Sequence, residues 1–201
     1  MFRKLALAAL VAVLASAGSV ASASPDHTSL ARVFLATARY RSLSTAQAAD
    51  YHQLVDVNGV ACIDMPGSGA MGVHYVKDAL VGDGKVDPLK PEALVYEPDQ
   101  QGHSRLVAVE YVVFKDAWDA KHPQPPSLFG HEFDFTSSPN RYGLAPFYSL
   151  HAWIWKFNPA GTFAMWNPRV TCAPGAAGHE HDTMTMDDMP SRHVTHRVTV
   201  V

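Results

Sequence analysis

Three titratable side chains stand alone in otherwise apolar, strand-like segments. His74 lies in Gly-Val-His-Tyr-Val, Glu110 in Val-Ala-Val-Glu-Tyr-Val-Val and His151 in Ser-Leu-His-Ala-Trp-Ile-Trp. Burying such a group costs free energy unless it meets a polar partner or a metal ion. Two imidazoles and a carboxylate suit Zn, Fe, Mn or Cu and leave coordination positions for water or substrate. His131, in Leu-Phe-Gly-His-Glu-Phe, is a further candidate ligand for the same ion.

The same residues have two metal-free interpretations. A strand His or Glu is often hydrogen-bonded to a backbone group or a Tyr, and a His–Glu pair is often a plain buried polar contact. Glu110 with a His can also serve as an acid/base pair without a metal. The separations among positions 74, 110 and 151 match no fixed ligand motif, so spacing alone leaves all three interpretations open.

Several catalytic classes are excluded by their missing motifs. The chain has no Gly-x-Ser-x-Gly elbow, no Cys-x-x-Cys, no Gly-x-x-x-x-Gly-Lys loop and no His-Glu-x-x-His. Each of these motifs places a nucleophile, a thiol pair, a phosphate cradle or a zinc ligand pair at a spacing that its chemistry requires. The imidazoles and carboxylates are therefore the groups left to carry chemistry.

A second set of metal-binding side chains lies near the C-terminus. Residues 173–201 are short of large apolar side chains, which predicts a flexible tail. Thioethers prefer Cu(I) and a His-x-His pair prefers Cu(II), so this composition favours copper binding. The alternative is a solvated linker in which these side chains are incidental. The candidate tail ligands are His179, His181, Met184, Met186 and Met189.

The first 23 residues have the three parts of an export signal. Arg3 and Lys4 precede an apolar run over 5–17, and small residues lie around Ala21 and Ala23. The run is shorter than the ~20 residues of a membrane span, so we expect cleavage and a secreted or cell-envelope protein without a span. Without the two cations, 14 basic residues would face 19 acidic ones, which argues against a nucleic-acid partner.

The chain has two cysteines, Cys62 and Cys172. Export would place them where a disulfide is chemically allowed, and we predict that they form one. A bridge closing so long a loop contributes on the order of 4 kcal/mol in the chain-entropy model. The alternatives are two free thiols or two thiolate metal ligands.

The periodicities predict helices first and strands afterwards. Apolar residues recur at helical spacing over 29–41, and a second short helix is predicted over 44–54. Glycines and prolines then separate short segments rich in β-branched and aromatic residues. We predict one α+β domain over 24–172, with N-terminal helices followed by an antiparallel, barrel-like β-sheet. The strand candidates are 72–76, 93–97, 105–114, 130–135, 148–157 and, more weakly, 162–166.

Strand alternation gives the facing of the candidate ligands. In 105–114 it places Leu106 and Glu110 on one face and Val109 and Tyr111 on the other, with both faces apolar enough to be buried. Around position 151 the same rule places four side chains together. These are Ser149, His151, Trp153 and Trp155. The sequence therefore predicts an inward Glu110 and an imidazole flanked by indoles.

Four segments carry a resemblance to known proteins. They are GVHYV at 72–76, PEALVYEP at 91–98, VEY at 109–111 and LHAWIW at 150–155, the last followed by NPAG at 158–161. With them the chain resembles, over about 36–172, a family of uncharacterised secreted bacterial proteins labelled hypothetical. By residue type it is also similar to cupin-like proteins, which hold a metal with His and Glu inside a small β-barrel. These resemblances imply export and a metal in a β-rich pocket.

We therefore expect a secreted metal-binding protein, either an enzyme or a carrier, whose cofactor is a transition metal ion, copper or zinc. The ligands would be His74, Glu110 and His151, with His131 as a fourth candidate. Two alternatives differ in class. One is a non-catalytic binding module for a carbohydrate or small hydrophobic ligand through Trp and Tyr. The other is a copper carrier that uses its tail.

Overall fold

The structure is a computed structural model that describes residues 25–99 and 101–172, with side chains from Leu30 onward. The predicted signal peptide (1–23) and the predicted tail (173–201) lie outside the described residues. Within that part of the chain, no helix reaches both the length and the hydropathy that crossing a bilayer requires.

The domain begins with helical segments, as predicted. They are α1 (Pro25–Thr37), a 3-10 turn (Ala38–Arg41) and α2 (Leu43–Gln47). The second helix is shorter than the predicted 44–54. Asp50 adopts a left-handed conformation with φ of 66°, and the Tyr51 amide donates to the Ala46 carbonyl at 3.1 Å. This closes the helix end and turns the chain toward the sheet.

Nine strands and two more short helices follow. They are β1 (His52–Gln53), β2 (Cys62–Met65), β3 (Gly69–Val76), α3 (Asp78–Val81), β4 (Ala93–Pro98), β5 (Ser104–Phe114), α4 (Lys115–Asp119), β6 (Ser127–Leu128), β7 (His131–Glu132), β8 (Asp134–Thr136) and β9 (Phe147–Ala152). The candidate at 130–135 is thus divided between β7 and β8. The candidate at 162–166 is wrong, because those residues form turns.

The strands form one large sheet and one hairpin. The seven-stranded sheet has the order β1-β3-β4-β5-β9-β8, with β2 also paired to β3, and β6 pairs with β7 alone. Every pairing is antiparallel. The α+β class with an antiparallel sheet is therefore confirmed. Within the described ranges the outer strands do not pair with each other, so the sheet is open and no closed barrel is found.

A bulge in β5 changes the facing that strict alternation predicts. Val95 pairs with Ala108 while the next residue, Tyr96, pairs with Leu106, which leaves Val107 as the extra residue. An extra residue reverses the alternation beyond it. Leu106 consequently joins the core with Tyr96 and not the face of Glu110, where the sequence analysis placed it.

The two faces of the sheet are covered differently. On the first, called the helix face, the N-terminal helices pack on strand residues such as Tyr75, Tyr96, Tyr111 and Leu150. The second is called the arm face, and part of the segment 153–172, which we call the arm, packs on it. Its Trp153 and Val170 pack with residues that include Ala70, Val95 and Ala108.

The arm is fixed to the sheet by covalent and close backbone contacts. Cys62 of β2 and Cys172 form a disulfide with a Cα–Cα distance of 5.7 Å, which confirms the predicted pairing. Ala70 and Asn167 exchange backbone hydrogen bonds of 3.2 and 3.1 Å. Gly69 has φ of 97°, and a Cβ there would lie 2.2 Å from the Asn167 carbonyl oxygen. Only glycine allows the arm to approach so closely.

Candidate metal centre

Strand register brings the three predicted ligands together on the arm face. Glu110 of β5 pairs directly with His151 of β9 and, on its other side, with Ala93 of β4. His74 of β3 pairs with Val95, two residues beyond Ala93. Since residues i and i+2 share a face, all five side chains point to the same side. The small Ala93 side chain leaves the space above β4 in which His74 and Glu110 meet.

The ligand atoms lie at distances that one ion can bridge. His74 Nε2 is 3.2 Å from His151 Nε2 and 3.4 Å from Glu110 Oε2. His151 Nδ1 is 3.6 Å from Glu110 Oε1, and one ligand atom from each residue lies within 4.8 Å of the others. Two ligands bonded to a tetrahedral ion at about 2.0–2.1 Å are about 3.3 Å apart. The two shorter contacts match this separation.

The cluster is removed from solvent, and this sets its charge. His74, Glu110 and His151 are 3%, 8% and 4% exposed. Burial lowers the pKa of His74 and of His151 to about 4. Burial raises the pKa of Glu110, which the charge of His74 and hydrogen bonding from Ser149 only partly oppose. Both imidazoles are therefore neutral near pH 7, which is the state that binds metals.

One of the two predicted indole neighbours lies beside the cluster. Trp153 is buried, and its ring lies nearly parallel to that of His151 with centroids 5.9 Å apart. Trp155 instead stacks on Phe34 at 4.0 Å, on the helix face. The predicted facing of Trp155 was wrong because β9 ends at Ala152, so strand alternation does not reach it.

The loop 137–146, for which the sequence analysis made no prediction, reaches the same region. Arg141 Nη2 lies 3.0 Å from Asp56 Oδ2, and the Val57 amide donates to the Arg141 carbonyl at 2.9 Å. Burial raises the pKa of Tyr142, and the charge of Glu110 adds to this effect. The loop 137–146 therefore brings a phenol and a guanidinium toward the His–Glu cluster. The signal for it was Ser-Pro-Asn at 138–140, which predicts a turn but not its contacts.

The remaining predicted ligands lie elsewhere. His131 is exposed on β7, in the separate hairpin, where its ring is 4.1 Å from that of Phe163. It is not a member of the group formed by His74, Glu110 and His151. The five predicted tail ligands all lie outside the described residues. They are His179, His181, Met184, Met186 and Met189.

No family model, curated protein or solved structure matches the chain.

The donor set narrows the kind of ion that the site fits. Mg²⁺ and Ca²⁺ prefer ligand sets made of oxygen, whereas two neutral imidazoles and one carboxylate are typical of Zn²⁺, Cu²⁺ and non-haem Fe²⁺ sites. Three protein ligands also leave at least one coordination position for water or substrate. The residues present in this face of the sheet therefore fit a transition metal with an open position.

Proposed function

We propose that the protein is an exported metal-binding protein that holds one divalent transition-metal ion, zinc or copper. His74 would bind through Nε2, His151 through one ring nitrogen and Glu110 through its carboxylate. The observation that carries the proposal is the convergence of these atoms, at 3.2 and 3.4 Å, in a buried position. Burial of three titratable groups without a cation is costly, and a bound ion would offset that cost.

The chain's own residues would control the bound ion. A metal with an open position polarises a bound oxygen or lowers the pKa of a bound water. Glu110 Oε1 faces His151 Nδ1 at 3.6 Å, so with the ion on His151 Nε2 the carboxylate would orient that ring while its other oxygen serves as the ligand atom. Trp153 would exclude bulk water on the side of His151. We propose a small metal-dependent enzyme or carrier on this basis.

Export is the second part of the proposal. The segment 1–23 has the pattern of a signal peptide, and the disulfide between Cys62 and Cys172 is typical of proteins that fold in an oxidising compartment. The resemblance of its sequence motifs to uncharacterised secreted bacterial proteins agrees with it. Copper binding by the tail stays a separate proposal, carried by its composition alone.

A metal-free role is the second candidate, and the same short contacts favour it. With the proton on His74 Nε2, that nitrogen would donate to His151 Nε2 at 3.2 Å, while His151 Nδ1 faces Glu110 Oε1. This arrangement is a relay of two imidazoles and a carboxylate suited to moving a proton. The carbohydrate-binding alternative has less support, since Trp153 and Trp155 are packed on internal partners.

Metal analysis of the whole chain distinguishes these candidates. Protein purified without an affinity tag is dialysed against Zn²⁺ and then against metal-free buffer, and bound zinc is measured by mass spectrometry. Tail ligands are silenced by His179→Ala and His181→Ala in the same chain. We expect about one equivalent of zinc, retained in the matched control His131→Gln and lost in His151→Gln. A zinc content that is equal in both variants would contradict the proposed centre and favour the metal-free relay.

A further inference from the structure

The proposed centre must be reached from outside, although its ligands are almost wholly buried. The arm covers the side next to His151 through Trp153. The loop 137–146 lies near the cluster, since the charge of Arg141 acts on His74, and the Arg141–Asp56 ion pair holds this loop in place. On the other side of β9 from Glu110, the sheet ends in the outer strand β8.

A single exposed carboxylate stands on that side of the described face. Asp134 of β8 pairs with Ser149 of β9, and Ser149 in turn pairs with Val112 of β5. Because Ser149 and His151 are two residues apart, Asp134 shares the face of His151 and Glu110. Diagonal neighbours on adjacent strands are about 7–8 Å apart, which is the relation of Asp134 to His151. Asp134 is exposed, whereas Ser149 is buried.

The negative charge of Asp134 acts on two members of the cluster. Burial dominates the pKa values of both Glu110 and His151, and the negative charge of Asp134 adds an upward contribution to each. The side chain of Ser149, which pairs with Asp134, lowers the pKa of Glu110. A row of oxygen-bearing groups therefore leads from the surface at Asp134, past Ser149, to the carboxylate of Glu110.

We infer that Asp134 is the entrance of the proposed metal site, where it captures a hydrated divalent cation before the cation passes Ser149 to Glu110 and the two histidines. This inference rests on the proposed function. An exposed carboxylate binds a cation weakly, which suits a transient binding site better than a permanent one. The buried imidazoles then hold the ion more tightly, because they offer nitrogen ligands in a position without competing water.

The size of the effect follows from Coulomb's law. A divalent ion attracted by one carboxylate from about 8 Å in water gains enough to raise its local concentration roughly fivefold at low salt. Salt screens this attraction, since the Debye length is about 10 Å at 0.1 M ionic strength. Removal of the Asp134 charge should therefore slow loading by about fivefold at low salt and make loading less sensitive to salt.

The test measures how fast the full-length protein takes up Co²⁺, whose visible absorption reports a nitrogen–oxygen site directly. Stopped-flow traces are compared for the wild type, Asp134→Asn, Asp134→Glu and the control Glu132→Gln, an exposed carboxylate on the separate hairpin. We expect the loading rate to fall about fivefold in Asp134→Asn, and to stay within twofold of the wild type in the other two variants. The final stoichiometry should be unchanged in all of them.

Three outcomes would overturn the inference. The inference is wrong if Asp134→Asn takes up Co²⁺ at the wild-type rate. It is also wrong if only the dissociation rate changes, or if Glu132→Gln slows the uptake of Co²⁺ by the same factor. In each case, loss of the Co²⁺ spectrum in His151→Gln would show that the metal centre itself still stands. If the wild type gives no Co²⁺ spectrum, both the centre and its entrance are refuted. Circular dichroism of each variant confirms that the surface substitutions leave the fold intact.

Discussion

The helix face and the arm face belong to the same strands but satisfy their buried polar groups in opposite ways. On the helix face, tyrosine hydroxyls donate to backbone carbonyls: Tyr51 to Pro91, Tyr96 to Tyr40 and Tyr111 to Pro88, at 2.8, 2.6 and 2.8 Å. Their partners cannot titrate. On the arm face, the buried groups of the cluster contact one another, and all three of them titrate.

This difference separates the buried groups that stabilise the fold from the buried groups that remain available for chemistry. A hydroxyl that donates to a carbonyl is fully used by the fold, because both groups would otherwise be buried without a partner. The His–Glu cluster gains less from its internal contacts, since burial makes the charged forms of its members unfavourable. An arrangement that contributes little to folding yet brings three possible metal ligands together supports the proposed function of the arm face.

The largest expected effect concerns the covalent link between the end of the arm and β2. Cys62 and Cys172 are 110 residues apart, so removing their bridge releases a large loop in the unfolded chain. We expect the pair of substitutions Cys62→Ser and Cys172→Ser to lower the free energy of unfolding by about 4–5 kcal/mol. Urea titration under non-reducing conditions measures this. A loss below about 1 kcal/mol would mean that the arm holds its place without the bridge.

The next effect is an alkaline loss of stability that arises at Glu92, the residue just before β4. Glu92 is 2% exposed, and burial raises the pKa of its carboxyl to about 8. A raised folded pKa gives stability that is fully present below about pH 4.5 and is lost as the pH rises toward 8. The contribution amounts to about 5 kcal/mol over that interval. Glu92→Gln should remove it while still accepting the hydrogen bond from the Val112 amide.

Urea unfolding of the wild type and of Glu92→Gln between pH 4.5 and pH 9 checks this directly. The two proteins should diverge as the pH rises, with the variant the more stable. If the free energies of unfolding of the two proteins changed in parallel with pH, the titrating group would not be Glu92. Glu97→Gln serves as a matched control, because Glu97 is already paired with Lys156 at 2.6 Å.

The arm face should respond to acid where Glu92 responds to alkali. Burial lowers the pKa of His151 to about 4, against an ordinary value of 6.5. The unfolded chain therefore takes up a proton below pH 6.5 that the folded metal-free protein refuses until about pH 4. Stability present above pH 6.5 is lost over that interval, by about 3 kcal/mol. The variant His151→Gln should lack this contribution. It should retain the contribution of Glu110, whose raised pKa acts in the opposite direction.

Unfolding with a chelator present, from pH 4 to pH 8, compares the wild type with His151→Gln and with the exposed control His131→Gln. The wild type should lose stability relative to His151→Gln as the pH falls, and His131→Gln should follow the wild type. Saturation with zinc should raise the stability of the wild type but not that of His151→Gln. The acid loss of the wild type should remain, because the bound ion, like burial, keeps His151 unprotonated in the folded state.

The sequence predicted the parts of the arm face that depend on local pattern. The strands β3, β4 and β5 each contain the predicted segment and extend it by at most three residues, and the isolation of His74, Glu110 and His151 among apolar residues marked them as buried. The disulfide followed from the count of cysteines and the expected export. In each case the information lies within one strand or in a residue type.

The rest depends on which strands are neighbours, and a periodic pattern does not contain that information. Alternation fixes the face of Glu110 but gives no reason for Asp134 or Arg141 to lie near it. Alternation also predicts the wrong face where the chain departs from a regular strand. The bulge at Val107 reverses the facing of Leu106, and the end of β9 turns Trp155 to the opposite side of the sheet.

The smallest expected effect tests the helix face itself. The Tyr96 hydroxyl donates to the Tyr40 carbonyl at 2.6 Å, and both residues are buried. Tyr96→Phe removes the donor, keeps the ring that packs on Tyr75 at 5.2 Å, and leaves one carbonyl unpaired. The free energy of unfolding should fall by about 1 kcal/mol, the usual net contribution of such a bond, with no dependence on pH between 4 and 9.

Zinc binding should be unchanged, because the hydroxyl points away from the arm face. If Tyr96→Phe altered zinc affinity by more than about twofold while Glu132→Gln did not, the two faces would be coupled and their separation into a stabilising face and a chemical face would fail.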